Sequence, residues 1–308
     1  MTAHSRRRSR SLLRTAALSA AVLLAGCAGA EPAAVQHRGG DSERSDSERG
    51  EGGHAAAAAA ATALPSAHVH GVAVDPADGR VHLATHDGLF RYEETGPVQV
   101  GPAIDLMGFT VAGPDHFYAS GHPGPGVDLP DPVGLIESTD GGRTWQVLSR
   151  QGHSDFHALA ASDAGVVGFD GALRSTPDGT TWHVLDAPVE PHDLAASPDG
   201  AVLIGTSETG PVRSTDAGRT WSAIEEAPLL QLVDFAGGTT VAGVSPDGTV
   251  ALSTDAGATW STRGRVPGAP QAVGADLQPD GTARVLVVTD AGVHDSRDGG
   301  VSFSPLPA

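Results

Sequence analysis

The chain has 308 residues and a formal net charge of −18, with 37 acidic side chains, 19 basic ones and a single cysteine. That acidic balance argues against nucleic acid or an anionic lipid surface as a partner. One cysteine excludes a disulfide scaffold.

The N-terminal stretch "MTAHSRRRSRSLLRTAALSAAVLLAGC" has an arginine-rich start (Arg6, Arg7, Arg8, Arg10, Arg14), an apolar run too short to cross a bilayer stably, and a small-residue end. This is the layout of an export signal. Its close, "LAGC" (Leu24 to Cys27), resembles the lipobox of bacterial lipoproteins. The resemblance implies cleavage before Cys27, lipid on its thiol, and anchoring to the outer face of the bacterial cell membrane. An ordinary signal that ends in Cys is the plainer alternative. Five arginines and no acid lie in this stretch, so the exported part carries 14 Arg against 37 acids, a net of 14 − 37 = −23. Residues 28–66 are rich in Gly, Ser, Ala, Glu and Arg and poor in large apolar side chains. Such a segment buries too little to offset its ordering entropy and reads as a tether. The expected division is therefore a signal over 1–26, lipidated Cys27 with its linker over 27–66, and a folded body over 67–308.

The body repeats. "STDGGRTW" (Ser138 to Trp145), "STPDGTTW" (Ser175 to Trp182), "STDAGRTW" (Ser214 to Trp221) and "STDAGATW" (Ser253 to Trp260) are followed by a worn copy, "SRDGGVSF" (Ser296 to Phe303). Their starts are 37, 39, 39 and 43 residues apart, which suits one four-stranded unit per repeat. All four tryptophans of the chain close a copy. The pattern S-x-D-x-G-x-T-W is similar to that of the Asp-box, or BNR-repeat, β-propellers, which include sialidases, sortilin-type receptors, xyloglucanases and photosystem assembly factors. In a hairpin of this kind Asp140, Asp178, Asp216, Asp255 and Asp298 accept backbone N–H groups of the turn and Gly takes the positive φ. Trp145, Trp182, Trp221 and Trp260 fill gaps between units. Six units follow, near 68–103, 104–150, 151–187, 188–227, 228–266 and 267–308, the first without a box. The expected fold is all-β, a six-bladed propeller, with a seventh blade drawn from the linker as the alternative.

In such a fold the inner strand of each blade lines the axial channel, its N-terminal end opposite the boxes. Superposing "HVHGVAVD", "DLMGFTVA", "DFHALAAS", "EPHDLAAS", "LLQLVDFA" and "APQAVGAD" gives a column of His70, Met107, His157, His192, Gln231 and Gln271. Alternation puts His68 on the side of His70. The connections between second and third strands add His86 ("ATHDG") and His122 ("ASGHPGPG") at the same end. Neutral imidazoles with one thioether suit Cu or Zn. A water-filled channel with His and Gln as hydrogen-bonding lining is the plain alternative.

An enzyme reading stands beside it. The body also resembles exported bacterial Asp-box proteins labelled glycosylhydrolase-like or sialidase-like. A glycoside hydrolase using two carboxylates would draw on Asp87, Asp128, Asp131, Asp155, Glu190 and Asp193 at the mouth or its loops, with Asp155, Glu190 and Asp128 as the catalytic candidates. The sialidase set is not found. Arg143 and Arg219 lie inside boxes, Arg91, Arg174 and Arg213 just before the box position, and only Arg150, Arg263 and Arg265 fall in connections on the mouth side. The expectation is thus a monomeric surface lipoprotein binding a metal or small ligand at a His-rich mouth. The alternatives are a glycoside hydrolase and a non-catalytic scaffold for a glycan or protein partner.

Overall fold

The computed structural model describes residues 64–306. They form 24 strands and no helix, in six four-stranded antiparallel sheets, each made of four consecutive strands. These are six blades, spanning 69–100, 104–149, 158–184, 193–223, 232–265 and 270–305. The inner strands Val69–Val74, Ile104–Gly113, Ala158–Ser162, Asp193–Ala196, Leu232–Gly237 and Pro270–Leu277 pack each against the next, and the last packs against the first. The six units read from the repeat spacing coincide with the six blades. The signal segment 1–26, Cys27 and the linker as far as residue 63 lie outside the described residues.

The second strand of a blade is covered on both faces by neighbours. Hence Val81–Thr85, Leu203–Thr206 and Ala283–Thr289 are buried throughout, as near-continuous apolar runs should be. The outer strands His183–Val184, Ser222–Ala223 and Ser261–Arg265 are short, polar and exposed, which keeps the rim from pairing with other chains. The apolar core falls into six clusters, one in each seam between adjacent blades. Ile204 of blade 4, for example, packs with Val233, Val241 and Trp260 of blade 5.

The repeated turns stitch these seams. In blade 4 the buried Ser214 hydroxyl donates to Asp216 Oδ1 (2.8 Å) and accepts the Gly218 N–H (2.8 Å), while Asp216 accepts Thr220 N–H (2.8 Å) and Thr220 Oγ1–H (2.7 Å). The same four bonds recur around Asp140, Asp255 and Asp298. Two successive residues in each of these turns have positive φ, Ala217 and Gly218 in blade 4. The second also sits close under the neighbouring blade: a Cβ at Gly257 would come within 2.4 Å of Ile204 Cδ1 and displace that side chain. The blade 3 turn is shorter by one residue. There Thr176, not Ser175, supplies the buried hydroxyl, donating to Asp178 Oδ1 at 3.1 Å, and only Gly179 has positive φ. Trp182 closes that seam, stacked on Phe156 with centroids 4.8 Å apart and donating Nε1–H to Ser149 Oγ at 2.9 Å.

No strand is shared between the first and last blades. Their seam is closed by side chains: Gln271 Oε1 accepts Val69 N–H (2.9 Å) and Gln271 Nε2 donates to Ala67 O (3.4 Å). Leu64 and Leu306 pack on the apolar cluster of that seam.

Candidate functional site: the histidine-lined channel mouth

The end of the ring opposite the repeated turns opens into a cavity of about 570 Å³, whose walls include His70, Met107, Asp155, His157, His192 and Gln271. A local device aims the column inward. His70, Met107 and Gln271 are each the extra residue of a β-bulge, between Val69 and Gly71, Leu106 and Gly108, and Pro270 and Ala272. His157, His192 and Gln231 occupy the same position one residue ahead of their strands.

The six members then divide. Gln231 and Gln271 reach the backbone of the following blade, Gln231 Nε2 donating to Pro270 O at 3.4 Å, and act as staples. The histidines remain free to face the cavity. His70 Nε2 lies 3.1 Å from His86 Nε2, while His86 Nδ1–H donates to Asp105 Oδ1 at 2.7 Å. That bond fixes the His86 tautomer and turns its Nε2 lone pair toward His70. Burial, then the neighbouring His86, lowers the His70 pKa to about 4, so its ring is neutral at physiological pH. His68 packs edge-on against the same His86 ring, as His70 does, so the two histidines of "HVHG" do share a side.

Across the cavity His122 behaves differently. Its Nδ1 lies 2.6 Å from Asp131 Oδ1 and its Nε2 3.2 Å from Asp155 Oδ2, so both nitrogens are engaged by carboxylates. His157 Nε2–H donates to the same Asp155 oxygen at 2.7 Å. These bonds raise both histidines, chiefly through Asp131 for His122 and Asp155 for His157. Burial works to raise Asp155, but His157 and His122 hold it below its ordinary value. Asp155 Oδ1 is buried without a partner.

The metal candidates His70, His157, His192 and Met107 therefore line one cavity, with His86 bonded to His70, His68 packed on His86, and His122 bonded to the cavity residue Asp155. Among the described residues the one imidazole pair within hydrogen-bonding distance is His70 with His86. Among the described residues no three His, Cys, Asp or Glu side chains are grouped to hold a metal, which leaves this pair an open two-nitrogen arrangement. Of the carboxylate candidates only Asp155 lines the cavity; Glu190 and Asp128 are exposed and absent from its wall. Arg150 pairs with Asp170 at 3.0 Å, whereas Arg263 and Arg265 stand on the outermost strand of blade 5 and are absent from the cavity wall. That corrects their expected place in the connection between blades: Ser261–Arg265 still pairs with the third strand, Arg265 opposite Thr249. Sequence reading missed Asp105. The signal was an acid two residues before the column, present in three blades as Asp105, Asp155 and Glu190.

Below the mouth the channel continues, about 590 Å³, past Asp193, Asp234 and Asp276. Asp193 Oδ2 accepts Val233 N–H and Asp234 Oδ2 accepts Ala275 N–H, both at 2.8 Å, each tying its blade to the next. Burial raises Asp193 to about 6 and Asp234 to about 7.

No protein-family model and no curated protein matches the chain. Solved structures do. The GH74 xyloglucanase from Xanthomonas campestris superposes with a TM-score of 0.55 at 20% identity, over 78% of this chain and 38% of that one. The chain thus spans under two fifths of the enzyme's length. A structure of the nidogen/laminin complex gives 0.57 at 15% identity (73% and 91%), and the WD40 β-propeller domain of Doa1 gives 0.51 at 16% (78% and 83%). The fold is a β-propeller. At these identities the likeness reaches the fold and no further.

Proposed function

We propose that the propeller mouth binds a transition-metal cation, Cu or Zn, through His70 and His86, in a protein exported and held at the outer face of the bacterial membrane by lipid on Cys27. The observation that carries this reading is the His70–His86–Asp105 chain. With metal–nitrogen bonds of about 2.0 to 2.1 Å, nitrogens 3.1 Å apart subtend roughly 100° at a shared ion, within the range of tetrahedral and tetragonal sites. Asp105 stands as the outer carboxylate that orients a ligating imidazole. The remaining positions of the ion are open to the cavity, for water or a small ligand.

The test follows melting temperature at pH 7.5 with Cu or Zn added to wild type, His70→Ala and His86→Ala. Binding to the native state alone raises the melting temperature with metal concentration. That rise is expected in wild type and lost in both variants. Equal stabilisation in all three would place the metal on the acidic surface and end this reading. For the anchor, Cys27→Ser is expected to move the protein out of the membrane fraction; unchanged fractionation contradicts it.

A glycoside hydrolase is the second reading. In its favour, Asp155 is held ionised while Asp193, on the same cavity wall, is raised to about 6, the division expected of a base and an acid. Against it, Asp193 already accepts Leu194 N–H and Val233 N–H. Hydrolysis of aryl glycosides that Asp155→Asn abolishes would establish the second reading.

A further inference from the structure

Met107 has no place in the apolar core. It belongs to none of the seam clusters, although Ile104 and Leu106 before it and Phe109 after it pack in the seam between blades 1 and 2. It is the only methionine besides the initiator, and it stands half-exposed on a wall with histidines and a carboxylate. Its position is enforced. A Cβ at the following Gly108 would come within 2.2 Å of Phe156 O, and one at Gly121, across the bulge, within 1.9 Å of Asp105 O and 2.9 Å of Met107 N. Gly121 is therefore required where its strand passes the bulge that takes Met107 out of the alternation, and Gly108 where blade 3 comes close behind it. The same strand carries Asp105, which orients His86 from two residues away. One strand of blade 2 thus carries both the carboxylate bonded to His86 and a thioether that lines the same cavity as His70.

Resting on the reading of His70 and His86 as a metal-binding pair, we infer that Met107 supplies the third donor and that the site selects Cu(I). The chemistry follows from the donors. A thioether is soft and binds Cu(I) well, whereas Zn(II) gains little from it and prefers nitrogen, thiolate or oxygen. Two neutral nitrogens and one sulfur make a three-coordinate set that Cu(I) accepts without further ligands. Met107 is thereby the residue that separates the two ions, and His70 and His86 serve both.

The experiment uses wild type, Met107→Leu and His70→Ala, titrated anaerobically with Cu(I) against a chromogenic chelator and separately with Zn(II). Leucine keeps the volume and apolar character of methionine and removes the sulfur. Loss of a ligand costs at least as much as loss of an outer-shell partner, so Met107→Leu is expected to weaken Cu(I) binding by about tenfold or more. Zn(II) affinity stays unchanged, and His70→Ala loses both ions. X-ray absorption of the wild-type copper complex is expected to show a sulfur neighbour, a readout independent of any variant's folding. Unchanged Cu(I) affinity in Met107→Leu together with a nitrogen-only spectrum overturns this inference and leaves the imidazole site standing. Failure of wild type to bind either ion overturns the site itself.

Discussion

The two ends of the ring use the same backbone in opposite ways. At the turn end a hydroxyl, a carboxylate and a glycine recur in four blades with the same bonds, and in a contracted form in a fifth, so that Asp140, Asp216 and Asp255 are interchangeable parts. At the mouth one backbone position carries His70, Met107, His157, His192, Gln231 and Gln271, and each blade uses it differently. Two members staple neighbouring blades, one pairs with a second imidazole, and one is clamped to a carboxylate. Repetition marks what closing a ring demands of every blade. Divergence marks where a blade has a side chain to spare for chemistry.

The contrast breaks most visibly if the turn end is damaged. Trp182→Ala removes a ring stacked on Phe156 and bonded to Ser149, and should cost about 2 to 4 kcal/mol, below the fully buried range because the indole is half-exposed. Calorimetric unfolding checks this, and metal affinity at 25 °C should be unchanged; lost binding at full stability would mean that the two ends have exchanged roles. Next in size is Asp105→Asn, at the mouth. It weakens the acceptor that fixes His86 and should reduce Cu or Zn affinity by roughly 10- to 100-fold with little change in unfolding free energy. A large stability loss there would make Asp105 a seam residue instead of a site residue. The smallest effect lies between the two ends. Asp234 is raised to about 7 by burial, with Asp193 and Asp276 adding like charge. A raised folded pKa contributes stability that is complete below the unfolded value near 4 and is lost as pH rises through about 7. Asp234→Asn keeps an acceptor for Ala275 N–H, so it should raise the melting temperature at pH 8 by a few degrees and flatten the fall between pH 5 and pH 8. A wild type that melts equally at both pH values would contradict the assignment.

The blade count was legible because the turn motif is local: Ser214, Asp216, Gly218 and Thr220 bond one another within seven residues, and their spacing repeats. The unboxed first blade was legible from "VHLATHDGLFRYEE" followed by "GPVQVGPA". Blade 3 departs from the others: its copy begins on Ser175, but Thr176 supplies the hydroxyl that bonds Asp178. The turn had lost a residue, and a motif read by identity does not register a contraction. At the mouth the histidine column could be read, but the partners could not. His86 meets Asp105 from the next blade, and Gln271 meets Val69 across 202 positions of sequence. Such pairings depend on bulges and on which blade lies alongside, and neither leaves a spacing rule in a single sequence.

Since every blade is made of four consecutive strands and the last seam is shut by Gln271 and apolar packing, the ring has no obligatory first blade. Leu64 and Leu306 end in the same cluster, so a short peptide could join them while the chain is opened in the largely exposed stretch 186–190. The rearranged gene would begin at blade 4 and encode the same circle, with His70 and His86 meeting as before from the far half of the polypeptide.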